Sequence, residues 1–185
     1  MKFFVETDRL LLRALQLSDA AGILELDSNP NVHQYLGKQP IKTIEEAEAI
    51  IRFIQQQYID NGIGRWAVVE KSSGEFIGWS GLKWIVDPIG GRNHYYDLGY
   101  RFIERHWGKG FATESARGTL LYGFNKLDQQ AIFAMAEPGN QASIHVIQKL
   151  GFKMVETFDW DGTPHHFYQL ERAAYGHHSI YPKFP

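Results

Sequence analysis

The sequence predicts a mixed α/β (α+β) fold: a single sheet of about seven strands with helices packed on it. Three observations predict it. The apolar periodicity switches between about 2 and about 3.6 residues, giving the order strand, helices, three strands, helix, strand, helix, two strands. Two pairs of strand-like runs are joined by turn sequences, Ser72-Ser73-Gly74 and Asp161-Gly162, which read as hairpins. The apolar and aromatic run from Tyr95 to Ile103 passes through a glycine-containing turn straight into a helical pattern. No internal repeat or low-complexity linker divides the chain, so 1–185 reads as one domain, with 172–185 as a tail.

The elements follow in order. Residues 7–15, TDRLLLRAL, read as the first strand, with Leu10 and Leu12 on one face and Leu11 and Arg13 on the other. Ser18 is placed to cap a helix over 19–26, with Asp19 in its first turn. Asn29-Pro30 breaks that helix, a short helical piece over 31–36 ends near Gly37, and Pro40 separates it from the next element. Thr43-Ile44-Glu45-Glu46 is a capping-box sequence that opens a helix over 44–60. Its stripe is Ala47, Ile50, Ile51, Ile54 and Tyr58, and Asn61-Gly62 ends it. Strands over 65–71 and 76–86 pair around the first hairpin turn; Gly78 and Gly81 interrupt the second, pointing to a bulge or a close neighbour.

After a loop over 87–92 comes the strand 94–103. From Phe111 the pattern is helical, with Ala112, Ala116, Leu120 and Phe124 on one face and Glu114, Arg117 and Thr119 away from it. Residues 130–136 form a short strand and Pro138-Gly139 turns the chain. Asn140 caps a helix to about residue 150 that turns Ile144, Ile147 and Leu150 inward, and Gly151 closes it. Strands 153–158 and 165–171 make the last hairpin. The tail, with Pro182 and Pro185, is expected to wrap the surface.

Composition removes several function classes. At 185 residues, 44% hydrophobic and 14% aromatic, the chain buries a core without disulfide or metal staples and is globular. A net charge of −2 gives no general attraction to nucleic acid or an anionic membrane. With no cysteine there are no disulfides, thiolate metal sites or cysteine nucleophiles. Glu6, Asp8 and Arg9 interrupt the start, no run approaches ~18 apolar residues, and a cytoplasmic protein is expected. His165-His166 and His177-His178 are adjacent pairs whose rings point to opposite faces of a strand; without HExxH or other ligand spacing, no metal is expected.

The turn after residue 103 carries the chemistry. The first N–H groups of a helix lack intrahelical partners and sit at the positive end of its dipole. Those of Gly108 to Ala112 can share one concavity, and glycine lets a ligand approach the backbone, so the site suits a phosphate or pyrophosphate. The alternative is that the glycines only make a tight turn. A Walker A loop fails because Lys109 is followed by Gly110, and the dinucleotide fingerprint fails because Thr113 stands where its last small residue belongs.

The segment Arg105-His106-Trp107-Gly108-Lys109-Gly110-Phe111-Ala112 resembles the Arg/Gln-x-x-Gly-x-Gly/Ala signature of the GNAT superfamily of acyl-CoA-dependent N-acyltransferases. The longer string WGKGFATE, from Trp107 to Glu114, resembles the ribosomal-protein alanine N-acetyltransferase (RimJ/RimL-like) subgroup. The resemblance extends over TDRLLLR, Asn29-Pro30-Asn31-Val32, FIGWSGL and NQASIHVIQKLGF at 140–152.

It implies a mostly antiparallel sheet that splays between its fourth strand, 94–103, and its fifth, 130–136, with the pantetheine arm of acetyl-CoA in the gap. The backbone of Phe102 and Ile103 would meet the pantetheine amides. The main chain of Gly108, Lys109, Gly110, Phe111 and Ala112 would hold the pyrophosphate. Arg105 and Lys109 would add charge, unless they are solvated surface cations. Asn140 would contact pantetheine and cap its helix. Ser143, at i+3, would present a hydroxyl to the departing thiolate, unless it bonds its own backbone.

Asp97 is the candidate base; the alternative is a structural pair with Arg101, and His94 is a second candidate. A main-chain N–H at the splay would polarise the acetyl carbonyl. The acceptor side is implied to lie between 29–36 and the last hairpin. There Tyr35, Trp84 and Trp160 are either an aromatic pocket or ordinary core. Glu156, Asp159 and Asp161 are either an attraction for a cationic amine or a solvated turn. The implied activity is direct acetyl transfer from acetyl-CoA, as co-substrate, to a primary amine, either a protein N-terminus or a small molecule, by a monomer or homodimer. No metal, nucleic acid or membrane is expected to take part. Two other readings are a non-catalytic acyl-CoA-binding or sensing domain on the same scaffold and a nucleotide-binding α/β protein.

Overall fold

The computed structural model describes residues 3–37 and 39–175; the Pro182 and Pro185 tail and His177-His178 lie outside them. Eight strands form one sheet: β1 (Phe3–Glu6), β2 (Leu10–Arg13), β3 (Arg65–Glu70), β4 (Phe76–Ile85), β5 (Tyr95–Phe102), β6 (Ala131–Ala136), β7 (Lys153–Trp160) and β8 (Thr163–Glu171). Their order is β1-β2-β3-β4-β5-β6-β8-β7, and every neighbouring pair is antiparallel except β5–β6. The strand beyond the expected seven is β1. Residues 7–9 do not continue a strand but turn the chain, with Thr7 N–H donating to Leu10 O at 2.9 Å, and this turn lets β1 fold back onto β2.

The helices divide between the two faces. Helices α1 (Ala20–Ser28) and α2 (Ile44–Asn61) pack with Leu15, Ala67 and Ile103 on one face. Helices α3 (Phe111–Asn125) and α4 (Gln141–Lys149) pack with Leu82, Leu98, Phe102 and Ile132 on the other. Along β5 the alternation of side chains sends Leu98, Tyr100 and Phe102 toward α3 and α4, and Asp97, Gly99 and Arg101 toward α1. A short helix, α5 (Arg172–Tyr175), buries Tyr175 against Phe124, so the start of the expected tail is docked core.

Three local expectations are corrected. Helix α1 starts at Ala20 without a Ser18 cap, because Asp19 is buried in a two-bond pair with Arg13 (2.7 Å each) that forms a 3-10 turn over Leu17–Asp19. The piece at 31–36 is a 3-10 turn, Val32–Tyr35, preceded by Asn29 and Asn31, which donate to Glu104 at 2.6 and 2.9 Å. Thr119 is fully buried, 3.4 Å from the Ser80 hydroxyl. Small residues explain it: an added Cβ at Gly118 or Gly123 would collide with Val5 or Ile132, so α3 lies close enough to bury a wide stripe. The capping box is as expected, with Thr43 Oγ1 accepting from Glu46 N–H at 3.3 Å and Glu46 from Thr43 N–H at 3.0 Å. Among the described residues no helix is long and apolar enough to cross a membrane.

Candidate active site

The site begins where the sheet stops pairing. Strand β5 is paired with β4 along its whole length but meets β6 at one register only, Asp97 opposite Phe133. From Leu98 to Phe102 the β6-facing edge of β5 has no strand partner, which is the opening an extended chain fills by strand addition. The main chain of Ile103 is already engaged in both directions: its N–H donates to Ile77 O at 3.1 Å and its carbonyl accepts from His106 N–H at 2.9 Å. Phe102 O accepts from the Trp107 indole at 2.7 Å. The 3-10 turn Glu104–His106 follows these groups, and the unpaired β6-facing edge of β5 runs up to Phe102.

Beyond that turn, Gly108 (φ 73°) and Gly110 (φ 81°) both take the left-handed conformation, which reverses the chain and starts α3 at Phe111. Among the described residues, the main-chain N–H groups from Gly108 to Thr113 have no acceptor. A Cβ at Gly108 would meet nothing within 4 Å, so the concavity is open to a ligand. The donors and the dipole fit a diphosphate. Lys109 is exposed beside them, and its carbonyl accepts from Arg9 at 3.0 Å. Arg105 is ion-paired with Glu25 and Glu75, so its charge is already balanced. A cation that sequence reasoning missed, Arg9, lies over the Phe111 ring at 4.5 Å. Arg9, Thr113, Arg117 and Lys149 line a cavity of about 260 Å³ beside Gly110.

Across the gap stands α4. Asn140 caps it, accepting from Ser143 N–H at 3.1 Å, while its amide nitrogen donates to no described residue. Ser143 does not bond its own backbone through its hydroxyl. Its Oγ is 3.2 Å from the Tyr100 hydroxyl, which is also 3.1 Å from Ser143 O. Tyr100, on the unpaired part of β5, was not singled out in the sequence, where it reads as one aromatic of a buried run. Burial pushes its hydroxyl up to about 12.

On the α1 face, Asp97 is 7% exposed and accepts a 2.5 Å bond from Arg65, not Arg101, through Oδ2; its Oδ1 accepts from no described residue. Burial pushes the Asp97 carboxyl above the usual range, against the pull of the Arg65 guanidinium. Arg101 pairs instead with buried Asp27 at 2.5 Å, because α1 brings that carboxylate over the end of β5. Trp79 lies between the two cations, 5.5 Å from Arg65 and 5.0 Å from Arg101. His33 Nε2 is 3.7 Å from Asp27, and burial holds that imidazole below its ordinary value.

The expected acceptor aromatics have separate neighbours. Tyr35 lies against Gly139, Trp84 tilts on Tyr96 at 4.7 Å, and Trp160 meets His165 at 5.2 Å. His94 is an exposed loop residue at φ 56°. Glu156 pairs with Arg92 at 2.9 Å, Asp159 accepts from Gly162 N–H at 2.9 Å in the turn, and Asp161 is exposed at φ 52°.

The chain is similar to known proteins in sequence and in fold. The model of the Acetyltransferase (GNAT) domain family matches residues 9–153. The uncharacterised N-acetyltransferase p20 of Bacillus licheniformis is 33% identical over 147 residues, 80% of each chain. Spermidine N(1)-acetyltransferase of Vibrio cholerae is 27% identical over 160 residues, 83% of this chain and 87% of its own. The solved structure of a GNAT-family acetyltransferase from Bacillus anthracis shares the fold, with a TM-score of 0.77 at 22% identity over 91% of this chain and 98% of its own. With a splayed sheet, an open row of helix-start donors and a family match over most of its length, the chain belongs to the GNAT acetyltransferase family and is an acetyl-CoA-dependent N-acetyltransferase.

Proposed function

We propose that the chain moves the acetyl group directly to a primary amine, with no acyl-enzyme, and that the acceptor is a peptide N-terminus. The observation that carries the cofactor half is the row of unpaired main-chain donors from Gly108 to Thr113 at the open end of the β5–β6 gap. These groups would hold the diphosphate, Lys109 would add charge, and the free edge of β5 up to Phe102 would bind the pantetheine arm, with Asn140 facing it.

An ammonium has no lone pair, so the acceptor must lose a proton. Asp97 Oδ1 would take that proton before the nitrogen attacks, while Arg65 holds the other oxygen; as the nitrogen–carbon bond replaces the carbon–sulfur bond, the nitrogen sheds a second proton to solvent. Ser143 Oγ–H would hydrogen-bond the sulfur, which leaves with the electron pair of the broken carbon–sulfur bond. The absence of cysteine supports direct attack.

Two things support a peptide acceptor. The string Trp107 to Glu114 resembles the RimJ/RimL-like subgroup. The two buried carboxylates on the α1 face, Asp27 and Asp97, already carry arginine partners, Arg101 and Arg65, so neither is left to pair a further ammonium group of a polyamine. The test is thiol release from acetyl-CoA with peptides of varied N-terminal residue, spermidine and a simple monoamine. Turnover confined to peptides is expected. Turnover with spermidine alone overturns the acceptor, binding of CoA without turnover favours a sensing domain, and competition by ATP but not CoA overturns the cofactor site.

A further inference from the structure

Tyr100 lies where the two halves of the sheet separate. Its backbone belongs to the stretch of β5 that β6 has left, and its ring passes to the α3–α4 side. Its hydroxyl ends 3.1 Å from Ser143 O and 3.2 Å from Ser143 Oγ, in the first turn of α4. Among the described residues no other side-chain hydrogen bond joins β5 to α4. We propose that Tyr100 is a positioning residue for acetyl transfer: it sets the orientation of the Ser143 hydroxyl across the gap through which the thioester must pass. This rests on the reading of Ser143 as the donor to the leaving sulfur.

A phenol carries one proton and accepts through its lone pairs. When that proton goes to Ser143 O, the phenolic oxygen is left to accept from Ser143 Oγ–H, which then points at Tyr100. When it goes to Ser143 Oγ, the serine proton is released toward the gap. The two arrangements differ by rotation about two C–O bonds, with no movement of the backbone. Leucine or phenylalanine at 100 would fill the same apolar space beside Leu98 and Phe102 but would leave the serine rotor unguided. The proton itself stays on the tyrosine: with its hydroxyl up to about 12, Tyr100 is a far weaker acid than a thiol at about 8.5, so it orients and does not deliver.

The test is steady-state kinetics of Tyr100→Phe, Ser143→Ala and the double variant, with calorimetry of CoA binding on each. Tyr100→Phe should lower kcat by about tenfold while the KM for acetyl-CoA and the affinity for CoA stay within about twofold. Ser143→Ala should lose at least as much, and the double variant should be no worse than Ser143→Ala, because both changes remove one arrangement. A Tyr100→Phe enzyme with wild-type kcat overturns the inference, as does a double variant whose losses multiply. A Ser143→Ala enzyme with wild-type kcat sinks the leaving-group reading and this inference with it. If CoA affinity falls in step with kcat in Tyr100→Phe, the hydroxyl only braces the gap and positions nothing.

Discussion

The Thr7 hydroxyl donates a 2.6 Å hydrogen bond to Glu114 Oε1 across 107 residues of sequence. The same oxygen accepts from Arg9 N–H at 2.9 Å, and Oε2 takes the Arg9 guanidinium at 2.6 Å. The turn between β1 and β2 is thereby locked to the first turn of α3, next to Gly108 and Gly110. Glu114 also sits where a helix favours a negative charge. Burial pushes its carboxyl up, but the bonds from Thr7 and Arg9 outweigh that and hold it below the usual range.

A depressed carboxylate stabilises the fold at pH above its unfolded value, near 4.5, and the contribution is lost as pH falls through the lower folded value. Glu114→Ala should cost about 2 kcal/mol at pH 7, the scale of hydrogen bonds to a charged group. In urea unfolding, the gap between wild type and Glu114→Gln should narrow below about pH 4. A gap that is constant with pH would show that the charge plays no part in the lock.

Gly110 separates space from conformation. A Cβ there would have only Arg9 Nη2 within 4 Å, at 3.5 Å, but φ is 81°. Gly110→Ala should therefore cost roughly 1 kcal/mol of stability from backbone strain. Gly110→Glu adds bulk and like charge before the donor row and should abolish CoA binding by calorimetry. Unchanged affinity in that variant would count against the diphosphate site.

Asp97→Asn leaves the Arg65 guanidinium in a mostly buried position without its counter-charge; the two side chains are 11% and 10% exposed. Breaking such a pair typically costs about 3–5 kcal/mol, so the urea midpoint should fall clearly. Activity measured on the folded fraction should fall as well.

The raised Asp97 carboxyl also predicts a pH profile. A base works only when ionised, so kcat/KM should fall on the acid side with an enzyme-derived limb above the ordinary carboxylate range. The acceptor amine contributes its own limb. Comparing acceptors of different basicity separates the two, because the enzyme limb stays in place. If the whole profile moves with the acceptor, a water and not Asp97 removes the proton.

Thr43→Ala removes the hydroxyl that caps α2 and should cost about 1 kcal/mol, a fall of roughly 2–4 °C in Tm. The KM for acetyl-CoA should not change.

Periodicity and turn chemistry carried most of the architecture. Thr43 to Glu46 was readable because a capping box is local: its bonds lie within four residues. The glycine turn was readable for the same reason. Strand β1 was not, because four residues hold no periodicity that distinguishes them from a frayed start, and among the described residues β2 supplies their only strand neighbour. Ser18 looked like a cap because nothing nearby announces that Arg13 will claim Asp19 and move the helix start. The candidate site divides along the same line: the glycine turn with its unpaired N–H groups and the Asn140 cap are local and could be read from the sequence, whereas the contacts that Tyr100, Arg65 and Arg9 bring in could not.

Order along the chain thus determined the kinds of element, their succession and the glycine turn before α3, since each depends on contacts a few residues apart. Folding alone decided which charge meets which. Asp97 is 32 residues from Arg65, Arg101 is 74 from Asp27, and Tyr100 is 43 from Ser143. Such pairings depend on sheet order and on the tilt of helices over it. A carboxylate four residues from an arginine on one strand, as in Asp97 and Arg101, can therefore find a closer partner two strands away.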